Sequence, residues 1–384
     1  MTVRALALLL AALPLASVGQ AAEIRFYPGQ ALWAQQTEAA RGLNNLVLAN
    51  AAIVQRGAGP RTVVEVRFDL LDGEELLQSQ FLGGQRLAAV ARQGGALAGS
   101  GMMQALDFQF GGTDLLGEGT TVSDDPLLEP GEALYLPTRF FAYAGQPDRL
   151  RVTARFDDGS EPAIGELPIR HGTAPGAFGF PARGRWFVGA ATTPHSHHRW
   201  AVPQEFALDL IRIGKDGRSH RGDGTRMRHY HAYGQPALAA ADGEVVAVRD
   251  DLPDSLELLR RPGEPVEAQM ARVMAFQDAA LAGGGGDMVG NHVLLRHADG
   301  VYTVYAHLAP GSVRVRAGQA VARGEPLGAV GNSGSSTEPH LHFHACDAPE
   351  VLRCAGLPIA FDDIELPFAD HPRQIQSGDF VDAR

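Results

Sequence analysis

Short runs in which apolar and polar residues alternate, separated by turn signals, recur through the first part of this sequence. Two examples are Thr62–Leu70 (TVVEVRFDL), which runs up to Asp72-Gly73, and Leu150–Gly159 (LRVTARFDDG), which ends in Asp-Gly. Alternation with a period of two places successive side chains on opposite faces of a strand, and Asp-Gly favours tight turns. The pattern predicts an all-β fold that begins with a β-sandwich-like domain over residues 23–172.

A second β-rich unit follows a change in composition. Residues 173–184 are rich in Gly, Pro and Ala and predict a linker. Residues 185–384 contain further strand-like runs, such as HVLLRH and VYTVYAHL, which predict an antiparallel β domain. Within it, residues 253–282 are rich in Leu, Glu, Arg, Ala, Gln and Met and precede four glycines. This segment predicts a helical insertion.

Charge and the first residues bear on where the protein acts. The formal net charge of −11 argues against a general nucleic-acid binder, which needs a basic face to neutralise phosphates. Residues 1–22 combine one basic residue, an apolar stretch and small residues before Glu23, which is the pattern of a secretory signal peptide. We therefore expect an exported protein, periplasmic or extracellular, with cleavage near Ala21 or Ala22. The apolar stretch is too short for a membrane span, so we expect no transmembrane segment in the mature chain.

The sequence contains two cysteines, Cys346 and Cys354. In an oxidising compartment such a pair usually forms a disulfide, and the Cys-x-x-Cys spacing of many metal or redox pairs is absent. The sequence therefore favours a disulfide that closes a short loop.

The histidines are concentrated in the second half of the chain, since all fourteen lie at or after His171. His340 and His342 share one face of a predicted strand, where one imidazole can bind a metal while the other faces the space beside it. His307 ends the strand-like run VYTVYAH. Asp209 lies in the apolar run FALDL, and a carboxylate buried there needs a partner.

One carboxylate and two imidazoles form a ligand set that suits Zn²⁺. The string His195-Ser196-His197-His198 lies upstream of Asp209 and can supply a further imidazole. The alternative for Asp209 is a solvent-facing position on an edge strand. Residue types and spacing alone leave these choices open.

Four segments, in this order, resemble the lysostaphin-type family of zinc endopeptidases, also called LytM or β-lytic endopeptidases. They are FALDL, YGQPALAAADGEVVAV, GNHVLLRHADGVYTVYAHL and VARGEPLGAVGNSGSSTEPHLHFH. The last is the most specific, because Gly-Asn-Ser-Gly followed by Ser-Thr-x-Pro-His-Leu-His-Phe is rarely met elsewhere. The resemblance extends over about residues 184–361, nearly half of the chain, and implies an antiparallel β peptidase domain.

The resemblance also implies roles for individual residues. Zinc would be bound by His198, Asp209 and His342, while His307 and His340 would form the catalytic pair. Three protein ligands leave one position for a water, whose pKa zinc lowers toward ~7.

The sequence departs from the family at the first ligand. Family members often space the first two ligands His-x-x-x-Asp, but Glu205 occupies that place here. Some relatives carry an expanded loop marked by a His-Arg pair. That landmark favours His198, which precedes Arg199, over His197 and His195.

The function that the resemblance implies is an exported zinc metalloendopeptidase. It would hydrolyse peptide bonds in peptidoglycan stems or cross-links through a zinc-bound water assisted by two histidines. The expected partners are a peptidoglycan peptide substrate, no nucleic acid and a regulatory protein of unknown identity. The alternative is a catalytically silent activator or scaffold for other cell-wall hydrolases. Relatives of that kind have lost their metal ligands, so the presence of Asp209, His307, His340 and His342 favours the enzyme.

Overall fold

The computed structural model describes residues 22–38, 41–371 and 373–384. The signal peptide predicted for residues 1–22 lies outside these ranges apart from Ala22, which begins the first strand. Among the described residues, no helix has the length and apolar character to cross a membrane. Strands predominate over helices, and the predicted all-β class is confirmed.

The N-terminal half contains thirteen strands within the described ranges. They are β1 (Ala22–Tyr27), β2 (Leu32–Trp33), β3 (Gln35–Glu38), β4 (Leu43–Leu48), β5 (Asn50–Gln55), β6 (Arg61–Asp72), β7 (Glu75–Gly83), β8 (Thr121–Val122), β9 (Leu127–Leu128), β10 (Glu132–Leu136), β11 (Arg139–Ala144), β12 (Arg149–Phe156) and β13 (Ala163–Arg170). They build three sheets, ordered β1-β5-β10-β8, β11-β4-β3 and β2-β13-β12-β6-β7, and β9 pairs with β6. In β12 the apolar residues Leu150, Val152 and Ala154 are fully buried. The alternation read from the sequence therefore produces the expected inward face.

Four helices, which the sequence analysis did not predict, interrupt this half at residues 84–116. They are α1 (Gly84–Gly99), α2 (Met102–Ala105), α3 (Asp107–Phe110) and α4 (Gly112–Leu116). Helix α1 buries Leu87, Ala91 and Gly94, which lie on one helical face at spacings of four and three. The sequence analysis missed α1 because four of its sixteen residues are glycines, which weaken a helical pattern.

The C-terminal half contains twelve strands within the described ranges. They are β14 (Gly184–Ala190), β15 (Leu208–Ile211), β16 (Pro236–Leu238), β17 (Gly243–Arg249), β18 (Asn291–Arg296), β19 (Tyr302–Leu308), β20 (Ala320–Val321), β21 (Pro326–Ala329), β22 (Leu341–Cys346), β23 (Gly356–Leu357), β24 (Ile364–Glu365) and β25 (Phe380–Ala383). The large sheet has the order β20-β17-β18-β19-β22-β15-β14-β25-β24, with β23 paired to β22, and β16 pairs separately with β21. All of these pairs are antiparallel.

Helical structure in this half includes α5 (Val266–Ala282) and α6 (Gly286–Val289). Helix α5 lies within the segment 253–282, for which a helical insertion was predicted. Short 3-10 turns occur at His197–Trp200, Val202–Gln204, Met227–His229 and Leu256–Leu258.

Residues 173–184, predicted to be a linker, pack closely against the C-terminal half. Ala174, Phe178, Phe180 and Ala182 are buried in the same core as the large sheet. Phe178 also forms a bridge with Phe361. The segment therefore has fixed contacts, although its Gly- and Pro-rich composition suggested a freer connection.

Candidate metal centre

Strand β22 lies at the centre of the candidate site. It pairs with β15 on one side, where Asp209 is opposite His342, and with β19 on the other, where Ala306 is opposite His342. Leu341 and Phe343 point into the main core. The alternation of the strand therefore directs His342 to the opposite face of the sheet.

Three imidazoles surround the carboxylate of Asp209. Its Oδ2 is 3.3 Å from Nε2 of His198. Its Oδ1 is 2.9 Å from Nδ1 of His342 and 3.4 Å from Nε2 of His340. Burial alone would raise the pKa of Asp209, but His198 and His340 hold that pKa well below its ordinary value. Asp209 is thus an ionised group at the centre of a histidine cluster, as the sequence placed it.

His198 is oriented by the backbone around it. The residue is buried, and its backbone N–H donates to the hydroxyl of Ser196 at the start of a 3-10 turn. Its Nδ1 lies 3.2 Å from the carbonyl oxygen of Ala207. Because a carbonyl only accepts, Nδ1 carries the hydrogen and the lone pair of Nε2 faces Asp209.

The neighbouring histidines of the same loop remain close to this group. The rings of His197 and His198 are 4.2 Å apart, and ligand atoms of His197, His198 and Asp209 lie within 4.8 Å of one another. His195 lines the adjacent cleft. The choice of His198 as the first ligand is therefore still a prediction, supported by its burial and its oriented Nε2.

His307 and His340 face each other beside this group, with ring centroids 4.8 Å apart. The Nδ1–H of His307 donates to the carbonyl of Ser333 at 2.8 Å, and that of His340 donates to the carbonyl of Glu338 at 2.8 Å. Both rings therefore present the lone pair of Nε2 in their neutral forms. Among the described residues, His307 is the only non-glycine residue with a positive φ, at 58°. Strained backbone of this kind persists where surrounding structure holds a side chain in a functional position.

The environments of the two rings differ. Burial holds the pKa of His307 well below its ordinary value. Burial also opposes protonation of His340, but the negative charge of Asp209 raises its pKa above the ordinary value. Burial is also the main cause that lowers the pKa of His342 below its ordinary value. In the absence of a bound cation, His340 is therefore the most readily protonated of these three.

The loop Gly331–Ser336 supports His307 and His340, a role that the sequence analysis did not assign. Asn332, Ser333 and Ser336 are buried. The Ser333 carbonyl orients His307, and the Ser336 hydroxyl lies 3.1 Å from Nδ1 of His340. Ser336 also donates to Oδ1 of Asn332 at 2.8 Å. The Gly-Asn-Ser-Gly-Ser-Ser motif was the available signal for this arrangement.

His344 extends the cluster away from Asp209. Its Nδ1 is 3.0 Å from Nε2 of His342, and its own Nε2 is buried without a hydrogen-bond partner among the described residues. When Nδ1 of His342 faces a cation, its Nε2–H donates to His344. This contact fixes the ring of His342, as second-sphere groups commonly do for metal-binding histidines.

Cys346 and Cys354 are both buried, and each is a free thiol in the structure. The predicted disulfide is therefore not formed in it. The two thiols lie beside His344, with ligand atoms of all three residues within 4.8 Å of one another. The side chain of Cys346 projects from the same face of β22 as that of His344, which explains why the three meet.

Glu205, which occupies the family's usual ligand position, faces away from Asp209 and pairs with Arg199. The guanidinium of Arg199 is fully buried, and its Nη2 donates to Oδ1 of Asn45 at 2.5 Å. Burial raises the pKa of Glu205 to about 7, although Arg199 opposes the shift. The contact between Arg199 and Glu205 thus anchors the loop between His198 and Asp209, and Arg199 also contacts β4. Sequence reasoning missed both contacts.

A cleft of ≈ 320 Å³ opens above the site. Asp209 and His340 form part of its wall, together with His195, His197, Thr337 and Glu338. A substrate in this cleft therefore reaches the centre of the histidine cluster.

The donor set fits a zinc ion. His198 and His342 present ring nitrogens to a buried carboxylate, and the other nitrogen of each ring is occupied by a carbonyl or by His344. Two imidazoles and one carboxylate are typical of catalytic zinc sites, which keep one position open. His198, Asp209 and His342 would hold the ion.

Comparisons with known proteins agree with this chemistry. A model of Peptidase family M23 matches residues 254–350, a range that contains His307, His340 and His342. The cell division protein DipM of Caulobacter vibrioides is 35% identical over 177 residues, covering 44% of this chain and 23% of DipM. The DD-carboxypeptidase/endopeptidase Mpg of Neisseria meningitidis is 40% identical over 105 residues, covering 27% of this chain and 21% of Mpg. The peptidoglycan DD-endopeptidase ShyA of Vibrio cholerae is 32% identical over 95 residues, covering 25% of this chain and 20% of ShyA.

The chain thus spans less than a quarter of the length of these curated relatives. Among solved structures, a zinc-containing peptidase from Vibrio cholerae covers 82% of this chain and 80% of its own, at 14% identity and a TM-score of 0.27. The catalytic domain of lysostaphin from Staphylococcus simulans covers 45% of this chain and 88% of its own, at 15% identity and a TM-score of 0.25. With TM-scores this low, these two likenesses support no conclusion about the chain.

Proposed function

We propose that this protein is an exported, zinc-dependent endopeptidase that hydrolyses peptide bonds of peptidoglycan, since a model of peptidase family M23 matches residues 254–350. The observation that carries the proposal is the convergence of His198, His340 and His342 on the buried carboxylate of Asp209. Two relatives, Mpg and ShyA, bear names that describe endopeptidases, and that of ShyA specifies peptidoglycan. Export is supported by the signal-peptide pattern of residues 1–22.

The proposed division of roles rests on the family resemblance of the sequence, since His340 contacts the carboxylate of Asp209 as His198 and His342 do. His198, Asp209 and His342 are the proposed zinc ligands. When bound there, zinc supplies a Lewis acid that polarises the scissile carbonyl and makes water more acidic.

His307 and His340 are the proposed catalytic pair. Each has its Nδ1–H engaged by a carbonyl, so Nε2 is the nitrogen that can accept a proton from the attacking water. Once protonated, that Nε2–H can stabilise the negative charge on the carbonyl oxygen and then donate its proton to the leaving amine. The new bond is carbon to oxygen, and the bond broken is the peptide carbon to nitrogen bond.

A catalytically silent activator or scaffold is the alternative. Such a protein needs the fold and a binding surface but no oriented proton acceptors. The hydrogen bonds that His307 and His340 donate to the carbonyls of Ser333 and Glu338 favour the enzyme.

The test is release of soluble fragments from purified sacculi by the purified protein, with and without a zinc chelator. We expect release that chelation stops and added zinc restores, with product masses that identify the bond cut. His340→Ala should reduce the rate about 10²–10⁴-fold, the usual contribution of a general acid–base group. A folded, zinc-loaded protein that releases nothing would contradict the proposal and favour the activator role.

A further inference from the structure

A second and larger cavity adjoins the cleft of the candidate metal centre. Its volume is ≈ 570 Å³. Thr337 and Glu338 line both cavities, so the two spaces meet at this segment of chain. The backbone of Glu338 also orients His340, which places the junction directly beside the proposed catalytic pair.

The walls of this cavity carry three arginines, Arg218, Arg260 and Arg261. All three are exposed, and none forms an ion pair with another residue in the part of the chain that the structure describes. They come from two separate stretches of chain, so their grouping is a product of the fold. The protein has a net charge of −11, so a cavity with three unpaired guanidinium groups is a positively charged site on an otherwise acidic protein.

The acidic side chains of the same cavity already have partners. Glu338 accepts a hydrogen bond from the hydroxyl of Ser219 at 2.6 Å. Asp223 accepts hydrogen bonds from the backbone and hydroxyl of Thr225 at 3.1 and 2.8 Å, and lies 3.1 Å from His229. These contacts engage one oxygen of each carboxylate, and the cavity has three arginines against these two carboxylates, so it keeps an excess of positive charge for an anion from outside the protein.

The loop that presents Arg260 and Arg261 is held in place from helix α5. Arg272 donates to the carbonyls of Glu257 at 2.8 Å and Leu259 at 3.0 Å. It also pairs with Glu264, one of the two acidic residues nearest in sequence to the two arginines. The Gly263 backbone turns with φ +74° directly after them. The segment 253–282 therefore builds one wall of the cavity and gives its arginines a defined position.

We propose that this cavity is a subsite that binds carboxylate groups of the peptide substrate through Arg218, Arg260 and Arg261. The planar guanidinium group matches the two oxygens of a carboxylate better than an ammonium does. The inference rests on the proposed function, because it assumes that a peptide occupies the adjoining cleft. It names the substrate class as an acidic peptide whose free carboxylates lie beside the bond that is cut.

The experiment compares two forms of one substrate, cross-linked stem-peptide dimers with free carboxylates and the same dimers amidated at those groups. Wild-type protein should have a KM about tenfold lower for the free form, as expected for two or three partly exposed ion pairs. The double variant Arg260→Gln/Arg261→Gln should raise the KM for the free form by about fivefold, because Arg218 remains, and the effect should appear in KM rather than in kcat. Its KM for the amidated form should stay the same. Arg316→Gln is the matched control, since Arg316 is also exposed but lies outside the cavity.

Binding of both dimers to the His340→Ala protein, measured by calorimetry at low salt, separates this inference from the proposed function. If the dimers are cleaved but the double variant has the same KM values as wild type for both forms, the proposed subsite is wrong and the proposed peptidase activity is supported. A second outcome is that the dimers are not cleaved, while the free form binds more tightly than the amidated form to wild type and not to the double variant. That result would support the subsite and contradict the proposed reaction. Equal binding of both forms by wild-type and variant proteins would overturn the subsite in either case.

Discussion

Replacing Gly290 by alanine should impair catalysis without removing zinc, because Gly290 contacts the peptide that orients His307. Gly290 has φ 72° and ψ −161°, a region that is essentially restricted to glycine. A Cβ atom there would lie 2.4 Å from the carbonyl oxygen of Ser333 and 2.7 Å from its carbonyl carbon. That oxygen accepts the Nδ1–H of His307 at 2.8 Å.

The size of the effect follows from these distances. Real Cβ contacts are essentially never below 3.0 Å, so the oxygen must move by at least 3.0 minus 2.4, or 0.6 Å. Ser333 resists that movement, since its hydroxyl donates to the carbonyl of Leu308 at 2.7 Å and accepts from the backbone of Asn291 at 2.9 Å. A misplacement of ~1 Å in an active site can cost ~10²-fold, so we expect kcat to fall at least about tenfold. Backbone strain of ~1–3 kcal/mol should also lower the free energy of unfolding.

Gly300→Ala is the matched control. Gly300 has φ +74° in the turn between β18 and β19, and a Cβ there would meet nothing within 4 Å. It should cost ~1 kcal/mol of stability through its backbone conformation alone and leave kcat unchanged. Urea unfolding, steady-state kinetics on released muropeptides and bound-zinc measurements test both variants. Equal kcat values for Gly290→Ala and Gly300→Ala would refute the reasoning that links Gly290 to His307.

Three further outcomes are expected. His342→Ala should lose bound zinc, because it removes a proposed ligand, and near-stoichiometric zinc in the purified variant would contradict that role. His340→Ala should keep zinc while losing turnover, and metal loss in proportion to activity would contradict the assigned division of roles. For Glu205, folding raises the pKa from 4.5 to about 7, so the folded state favours the protonated carboxyl. Its contribution to the free energy of unfolding is therefore fully present below pH 4.5 and is lost as the pH rises through about 7. The unfolding free energy of wild type minus that of Glu205→Gln, measured on chelated protein, should therefore fall by ~3 kcal/mol across that window, and a flat difference would refute it.

Local pattern was sufficient for most of the β structure and for the centre of the site. Period-two alternation predicted β12 and β19, and in β22 the same rule placed His342 on the face opposite Leu341. Asp209 stood out because a carboxylate in an apolar strand needs partners, and the structure supplies imidazoles. These features depend on residues that are close in sequence or share one strand.

The parts that were missed depend on contacts between distant segments. The role of Ser333 depends on a carbonyl meeting His307 from another loop, and no residue type encodes that contact. The arginine cavity unites residues about forty positions apart, Arg218 and Arg260. Helix α1 was hidden because its glycines obscure a short helical period.

The spacing between His198, the proposed first ligand, and Asp209 has a structural counterpart in contacts between the two halves of the chain. Ten residues separate His198 from Asp209, whereas relatives often have three, so the loop cannot be positioned by strand β15 alone. Arg199 joins this loop internally to Glu205 and, across the interface, to Asn45 of β4. A buried guanidinium is costly unless it is paired, and here Nη1 and Nη2 of Arg199 have partners from the two halves, while its buried Nε has none among the described residues. The sheet containing β4 therefore supports the loop that carries His198, and the N-terminal half contributes to the geometry of the metal centre without supplying a ligand.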